Sequence, residues 1–144
     1  MTTLFESFDV DFVINESTTV QQLTQYLDEK IEDRSNYGEN LTFENIVETL
    51  VMNSLMAKEN MDEDKAGELS SNFVSKHFQS DYDTITDEYD EYGRRYEGSA
   101  KFDNVEVFTW SAAGDGYGYG GALKREDLML KGIQNFLANW KIYE

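Results

Sequence analysis

Cysteine and proline are absent from this 144-residue chain, and histidine occurs once. Without cysteine there is no disulfide framework, no thiol nucleophile and no thiolate metal site. With His77 alone, a transition-metal site would have to rest mostly on carboxylates, and a Ser-His-Asp constellation would hang on one residue. Ser70, Ser71, Ser75 and Ser80 are near it in sequence, but none stands in a nucleophile-elbow context. No apolar run approaches the ~20 residues of a membrane span. The N-terminus, MTTLFESFDVDF, lacks a basic region and a continuous apolar stretch, so no signal peptide is expected. The missing prolines fit short Gly/Asn turns and imply no more. Positive charge is scarce too: 12 Lys and Arg stand against 29 Asp and Glu, a formal net charge of −17. The chain is expected to be soluble and cytoplasmic, and to be repelled by anionic membrane surfaces.

What is present is acid, unevenly placed. Residues 1–97 hold 23 Asp/Glu against 7 Lys/Arg, and residues 98–144 hold 6 against 5. Net charge governs solubility and association more than fold, so an asymmetry this large points to a partner. An acidic surface suits a basic one, and basic surfaces most often belong to proteins that bind nucleic acid. Low hydropathy with high charge can signal disorder. Against that stand 9 Phe, 9 Tyr and 2 Trp in periodic arrangement. A single folded domain over residues 1–144 is expected.

Phe8, Val10, Phe12 and Ile14 alternate as in a half-buried strand. Thr19 with Gln22 fits a capping box, and Val20, Leu23, Leu27 and Ile31 form the stripe of a first helix. Thr42 is expected to cap a second, whose apolar face is Phe43, Ile46, Val47, Leu50, Val51 and Leu55. Asp62, Glu63 and Asp64 crowd the start of a third, where the macrodipole favours anions. Its inward face is Ala66, Leu69, Phe73 and Val74. Phe78, Tyr82, Ile85, Tyr89, Tyr92 and Tyr96 are spaced 4, 3, 4, 3, 4, which predicts a helical continuation to about residue 97. Thr84, Thr86 and Gly93 are weak points in it. Phe102 to Trp110 reads as a strand, with Val105, Val107 and Thr109 on one face and Glu106, Phe108 and Trp110 on the other. Leu128, Leu130, Ile133, Phe136, Leu137 and Trp140 give the stripe of a last helix.

The segment 81–97 contains seven acids, two arginines and four tyrosines. As a solvated helical face it needs no further account. As a functional feature it reads as charge mimicry of nucleic acid. Carboxylates three or four residues apart on a helix sit ~5–6 Å apart, comparable to duplex phosphates. Asp81, Asp83, Asp87, Glu88, Asp90 and Glu91 would then stand in for phosphates, with Tyr89, Tyr92 and Tyr117 as anchoring contacts. An EF-hand fails at either start. From Asp81 the fifth and sixth positions are Ile85 and Thr86; from Asp62 the fifth is Ala66 and the twelfth Phe73.

The glycine run GDGYGYGG (114–121) matches GxGxxG at Gly116, Gly118 and Gly121. No acid stands ~20 residues on, no second parallel strand follows and no GK[ST] is present, so dinucleotide and P-loop readings fail. It reads as a flexible connection that presents Tyr117 and Tyr119. His77, one turn after Phe73, reads as a partly buried structural histidine. Neighbouring acids such as Asp87/Glu88 do not face one another across a cleft, which rules out glycosidase-type chemistry.

These features predict a helix-dominated α+β domain with a small antiparallel sheet, shared by the N-terminal strand and the 102–110 strand. The acidic faces of the first helix and of residues 62–97 would form one negative surface. The expected function is a non-enzymatic inhibitor, without metal or cofactor, that occupies the nucleic-acid site of a basic host-defence protein and does not bind nucleic acid itself. Small, acidic, cysteine-free, aromatic-rich chains are found among DNA-mimic inhibitors of restriction and CRISPR systems and among immunity proteins of nuclease toxins. That likeness is compositional, and no motif assigns the chain to either group. The alternatives are an immunity protein with an aromatic anchor, an enzyme using His77 and carboxylates, and a halophilic protein. The 8 lysines and the charge asymmetry weigh against the last.

Overall fold

Helix α1 (Val20–Tyr37) starts at a capping box closed from both sides. Thr19 N donates to Gln22 Oε1 at 2.9 Å, and Gln22 N donates to Thr19 Oγ1 at 3.2 Å. The computed structural model containing it describes residues 12–37, 43–90, 93–113 and 120–144. Leu23 and Leu27 are buried, while Val20, at the first turn, stays 39% exposed. Helix α2 (Phe43–Glu59) buries all six apolar residues of its expected face. Thr42, its expected cap, lies outside the described residues. Ser54 is buried among them without an orphaned hydroxyl. It donates to Leu50 O and accepts from Ile14 N, each at 2.8 Å.

Helix α3 (Glu63–His77) is capped by Asp62, whose Oδ1 accepts from Lys65 N at 2.8 Å. Ala66, Leu69, Phe73 and Val74 are buried, as its spacing requires. The helix ends at His77, which corrects the expected continuation. Phe78 is already extended (φ −104°, ψ 141°), and the chain runs straight into strand β1, Phe78–Asp90. β2 (Gly93–Phe102), β3 (Val105–Ala113) and β4 (Gly120–Leu123) follow in a four-stranded antiparallel sheet of order β1-β2-β3-β4. The 4-3-4-3-4 rhythm loses to the extended preference of β-branched Thr84, Ile85 and Thr86 and of the tyrosines, with β2 supplying ladder partners to Phe78–Thr84, Tyr89 and Asp90. The expected strand from 102 to 110 is divided by a two-residue turn. Asp103 (φ 48°) and Asn104 (φ 70°) are both left-handed, as a tight hairpin turn demands.

The N-terminal strand is corrected as well. Phe12 to Asn15 form no strand, and Phe8 and Val10 lie outside the described residues. Phe12 instead stacks on Tyr26 of α1, with centroids 5.0 Å apart. Nor does β3 keep the expected alternation. Ala100 pairs with Phe108 and Lys101 with Glu106, leaving Val107 as an extra residue in a bulge. Val107 and Phe108 are therefore both buried.

Helix α4 (Glu126–Ala138) buries Met129, Leu130, Ile133, Phe136 and Leu137. Met129 was missing from the expected stripe, whose Leu128 and Trp140 are only partly buried. A 3-10 turn, Trp140–Tyr143, completes the element order. One contiguous core joins the helices to the near end of the sheet through Phe78, Ala100, Phe102, Val107 and Phe108. Phe43 stacks on Phe108 at 4.6 Å. Among the described residues no helix is long and apolar enough to cross a membrane.

Gly132 is where α4 meets the sheet. A Cβ there would lie 2.8 Å from Phe102 Cε2. Phe73, His77 and Phe78 pack against the ring and resist its retreat. Gly132→Ala should therefore destabilise the fold by about 1–3 kcal/mol through overpacking, despite the ~1 kcal/mol gain in helix propensity. Urea unfolding of the two proteins measures the difference. A more stable alanine variant would contradict this packing.

Candidate functional site

Of the acids expected to carry function, Asp81, Asp83, Asp87, Glu88 and Asp90 lie on β1, not on a helix. Phe78 to Thr84 pair without interruption with Phe102 to Tyr96, which sets Asp81 opposite Ser99 and Asp83 opposite Glu97. Alternate residues along a strand are ~6.8 Å apart, wider than the helical spacing expected from sequence. Two acids directly opposite one another oppose folding by ~0.2–1 kcal/mol. Replacing Glu97 with Gln should thus stabilise the protein by that order, which thermal unfolding at low salt can read.

Beyond Thr84 the pairing is irregular. It resumes with Tyr89 opposite Arg94 and Asp90 opposite Gly93. Four residues of β1, Asp87 and Glu88 among them, thus face the single β2 residue Arg95. The expected site is therefore split: Asp81 and Asp83 lie on the regular ladder, Asp87 and Glu88 in the irregular stretch, and Asp90 and Tyr89 at the hairpin's far end. Glu91, Tyr92 and Tyr117 lie outside the described residues. The sheet residues described as buried, Phe78, Ala100, Phe102, Val107 and Phe108, lie at the opposite end of the ladder.

Elsewhere the balance of charge is visible side chain by side chain. Glu16, Asp28, Glu29, Glu63, Asp64 and Glu68 are exposed and form no ion pair among the described residues. Cations are mostly engaged: Lys58 with Glu59, Lys65 with Glu144, Lys124 with Glu106 and Arg125 with Asp127. Lys65 and Lys141 also lie over the Trp140 ring, and Lys76 over Tyr143. The acids of α1 and α3 are carried by helices that each pack on α2 and share no broad contact with one another.

A second cluster surrounds His77, whose side chain is 19% exposed. Its Nδ1 lies 2.7 Å from Asp103 Oδ1 and its Nε2 2.6 Å from Tyr143 Oη. The ring stacks on Phe102 at 5.4 Å. Asp103 is brought here by the β2–β3 turn, where its N–H donates to His77 O at 2.8 Å. Tyr143 is brought by the terminal 3-10 turn, held to α3 by Asn72 Nδ2 donating to Tyr143 O at 2.9 Å. Sequence reasoning found His77 and missed both partners, which are 26 and 66 residues away along the chain. The cluster borders a cleft of about 450 Å³ with Phe136, Lys131 and Asn135 in its lining. Both ring nitrogens are satisfied internally, and the three residues tie α3, the hairpin turn and the C-terminus together. Among the described residues no group of three acidic or histidine side chains is placed to hold a metal ion.

Burial, and then the negative charge of Asp103, pushes the Tyr143 phenol above its ordinary range. A raised pKa in the folded state means that the neutral hydroxyl is favoured there. Its contribution to stability is complete below the unfolded value of ~10 and is lost as pH rises through the folded value. Tyr143→Phe should cost about 1–2 kcal/mol at neutral pH, because His77 Nε2 loses its partner, and should remove this alkaline loss. Urea titrations at neutral and alkaline pH check both halves.

Compared with known proteins, the chain matches no protein-family model, no curated protein and no solved structure.

Proposed function

We propose that this protein is a non-enzymatic, cytoplasmic inhibitor that places its acidic surface in the nucleic-acid site of a basic protein. Restriction or CRISPR-type nucleases are the natural target class. The observation that carries the reading is the net charge of −17, with 23 of the 29 acids in residues 1–97. Self-repulsion makes such charge costly unless a partner of opposite sign rewards it. The unpaired exposed acids and the opposed Asp83 and Glu97 support the same view. His77 serves the fold in this account, with Asp103 and Tyr143 as its structural partners.

Electrostatic association predicts a specific behaviour. Affinity for the partner should fall steeply as salt rises, and short duplex DNA should compete for the same site. The protein itself should give no mobility shift with DNA at physiological salt. A direct shift would overturn the proposal. An affinity flat between low and moderate salt would favour an immunity protein anchored by its tyrosines.

A further inference from the structure

We infer that the outer edge of β1 accepts an extended, lysine- or arginine-bearing segment of the partner protein as an added strand. This rests on the reading that the partner is basic and names how its chain is held.

β1 is an edge strand among the described residues and the longest strand of the sheet, at 13 residues; the opposite edge, β4, has 4. Its broad contact is with β2. Alternate residues of such a strand turn their N–H and C=O groups away from the sheet, leaving a template for another chain. Protein edges are usually blunted by shortness, by proline, by bulges or by charge. β1 is long and has neither proline nor lysine. What guards it is five Asp or Glu and the irregularity after Thr84, and acid repels an acidic strand but attracts a basic one.

That charge selects the occupant. A second copy pairing through β1 would align two rows of carboxylates. Residues 1–11, with Glu6, Asp9 and Asp11 and no cation, would bring acid to acid as well. A strand carrying alternate cations is what the edge attracts, since opposite charges on neighbouring strands stabilise pairing and like charges oppose it. Main-chain hydrogen bonds would supply affinity, and Asp81 and Asp83 the preference for cations. The usable stretch is Gln79 to Thr84, where the β1–β2 register is unbroken; Phe78 is excluded, because it is buried and its N–H donates to Val74 O. The irregularity before Tyr89 ends it, so a short segment suffices. At the base of the stretch Ser80 Oγ donates to Glu44 Oε2 on α2, adding one more acid beside the edge.

The test uses the full chain at low salt with a short capped peptide of alternating lysine and threonine. Two further versions carry N-methyl groups on every second residue, one in each frame. All three have the same charge, but N-methyl groups block pairing when they point at the edge. The expected result is that the parent peptide slows amide exchange within 79–84, that one methylated frame keeps its affinity and that the other loses at least tenfold. The Asp81→Asn, Asp83→Asn double variant should bind the parent severalfold more weakly while unfolding at the same or a slightly higher urea concentration, since it removes the like charge opposite Glu97. Equal binding of both methylated frames, without new amide protection, would overturn strand addition and leave charge attraction alone. Failure of every peptide to bind would also overturn it. In either case the partner's competition with duplex DNA decides the broader reading separately.

Discussion

Truncating Phe73 to alanine is expected to lower the unfolding free energy by about 3–5 kcal/mol, a large share of the ~5–15 kcal/mol typical of a domain. Phe73 is 1% exposed on the inward face of α3. Its ring meets Phe136 at 4.7 Å, His77 at 5.1 Å, Tyr143 at 5.8 Å, Phe102 at 6.2 Å and Phe78 at 6.4 Å. It thus touches α4, the terminal turn and both strands of the first hairpin. Removing it forfeits the transfer free energy of a phenyl ring and leaves a cavity walled by other rings, which cannot all collapse inward together. The His77 corner should loosen in the same variant, because its aromatic wall is gone. Chemical denaturation measures the loss. A cost below about 1.5 kcal/mol would mean that the site collapses freely and that Phe73 is no hub.

Much of this helical framework was legible in the sequence. Capping residues and the 3.6-residue period agree with one another in α1 and α3, the apolar period alone marks α2, and packing adds to what propensity already favours. β1 was not legible. Phe78, Tyr82, Ile85 and Tyr89 satisfy a helical rhythm by coincidence, and what overrides it is the ladder to β2, whose groups come from residues 93–102. The pair Asp103-Asn104 was the local sign of a hairpin, weaker than Asn-Gly and hidden inside an apparently continuous strand. The bulge at Val107 had no sequence signal, because it is defined by the partner strand's register. For the candidate site, charge was readable and geometry was not. The acids of 81–91 stand out in composition, but their spacing depends on the element that carries them. Asp103 and Tyr143 are ordinary residues until the fold brings them to His77.

Changing Asp87, Glu88, Asp90 and Glu91 together to Asn or Gln should leave the fold intact and weaken binding to the basic partner by about a hundredfold or more. Such a loss is ~2.8 kcal/mol, less than four charge-assisted contacts at their usual worth, so it does not require every acid to touch the partner. The fold should survive because Asp87 and Glu88 fall in the irregular stretch of β1 and Asp90 pairs with Gly93 at the hairpin's end, away from the buried Phe78, Ala100 and Phe102. Removing like charges should relieve repulsion if it does anything. The control is the matching variant of α1, at Asp28, Glu29, Glu32 and Asp33, which makes the same change in net charge on a helix that does not adjoin the hairpin in the sheet. Contact predicts that the hairpin variant loses far more than the α1 variant, with the loss mainly in dissociation rate. Equal, small losses would mean long-range steering, whose mark is a slower association that vanishes at high salt. If neither variant weakens binding, the acidic hairpin is solvated surface and the proposed mimicry fails.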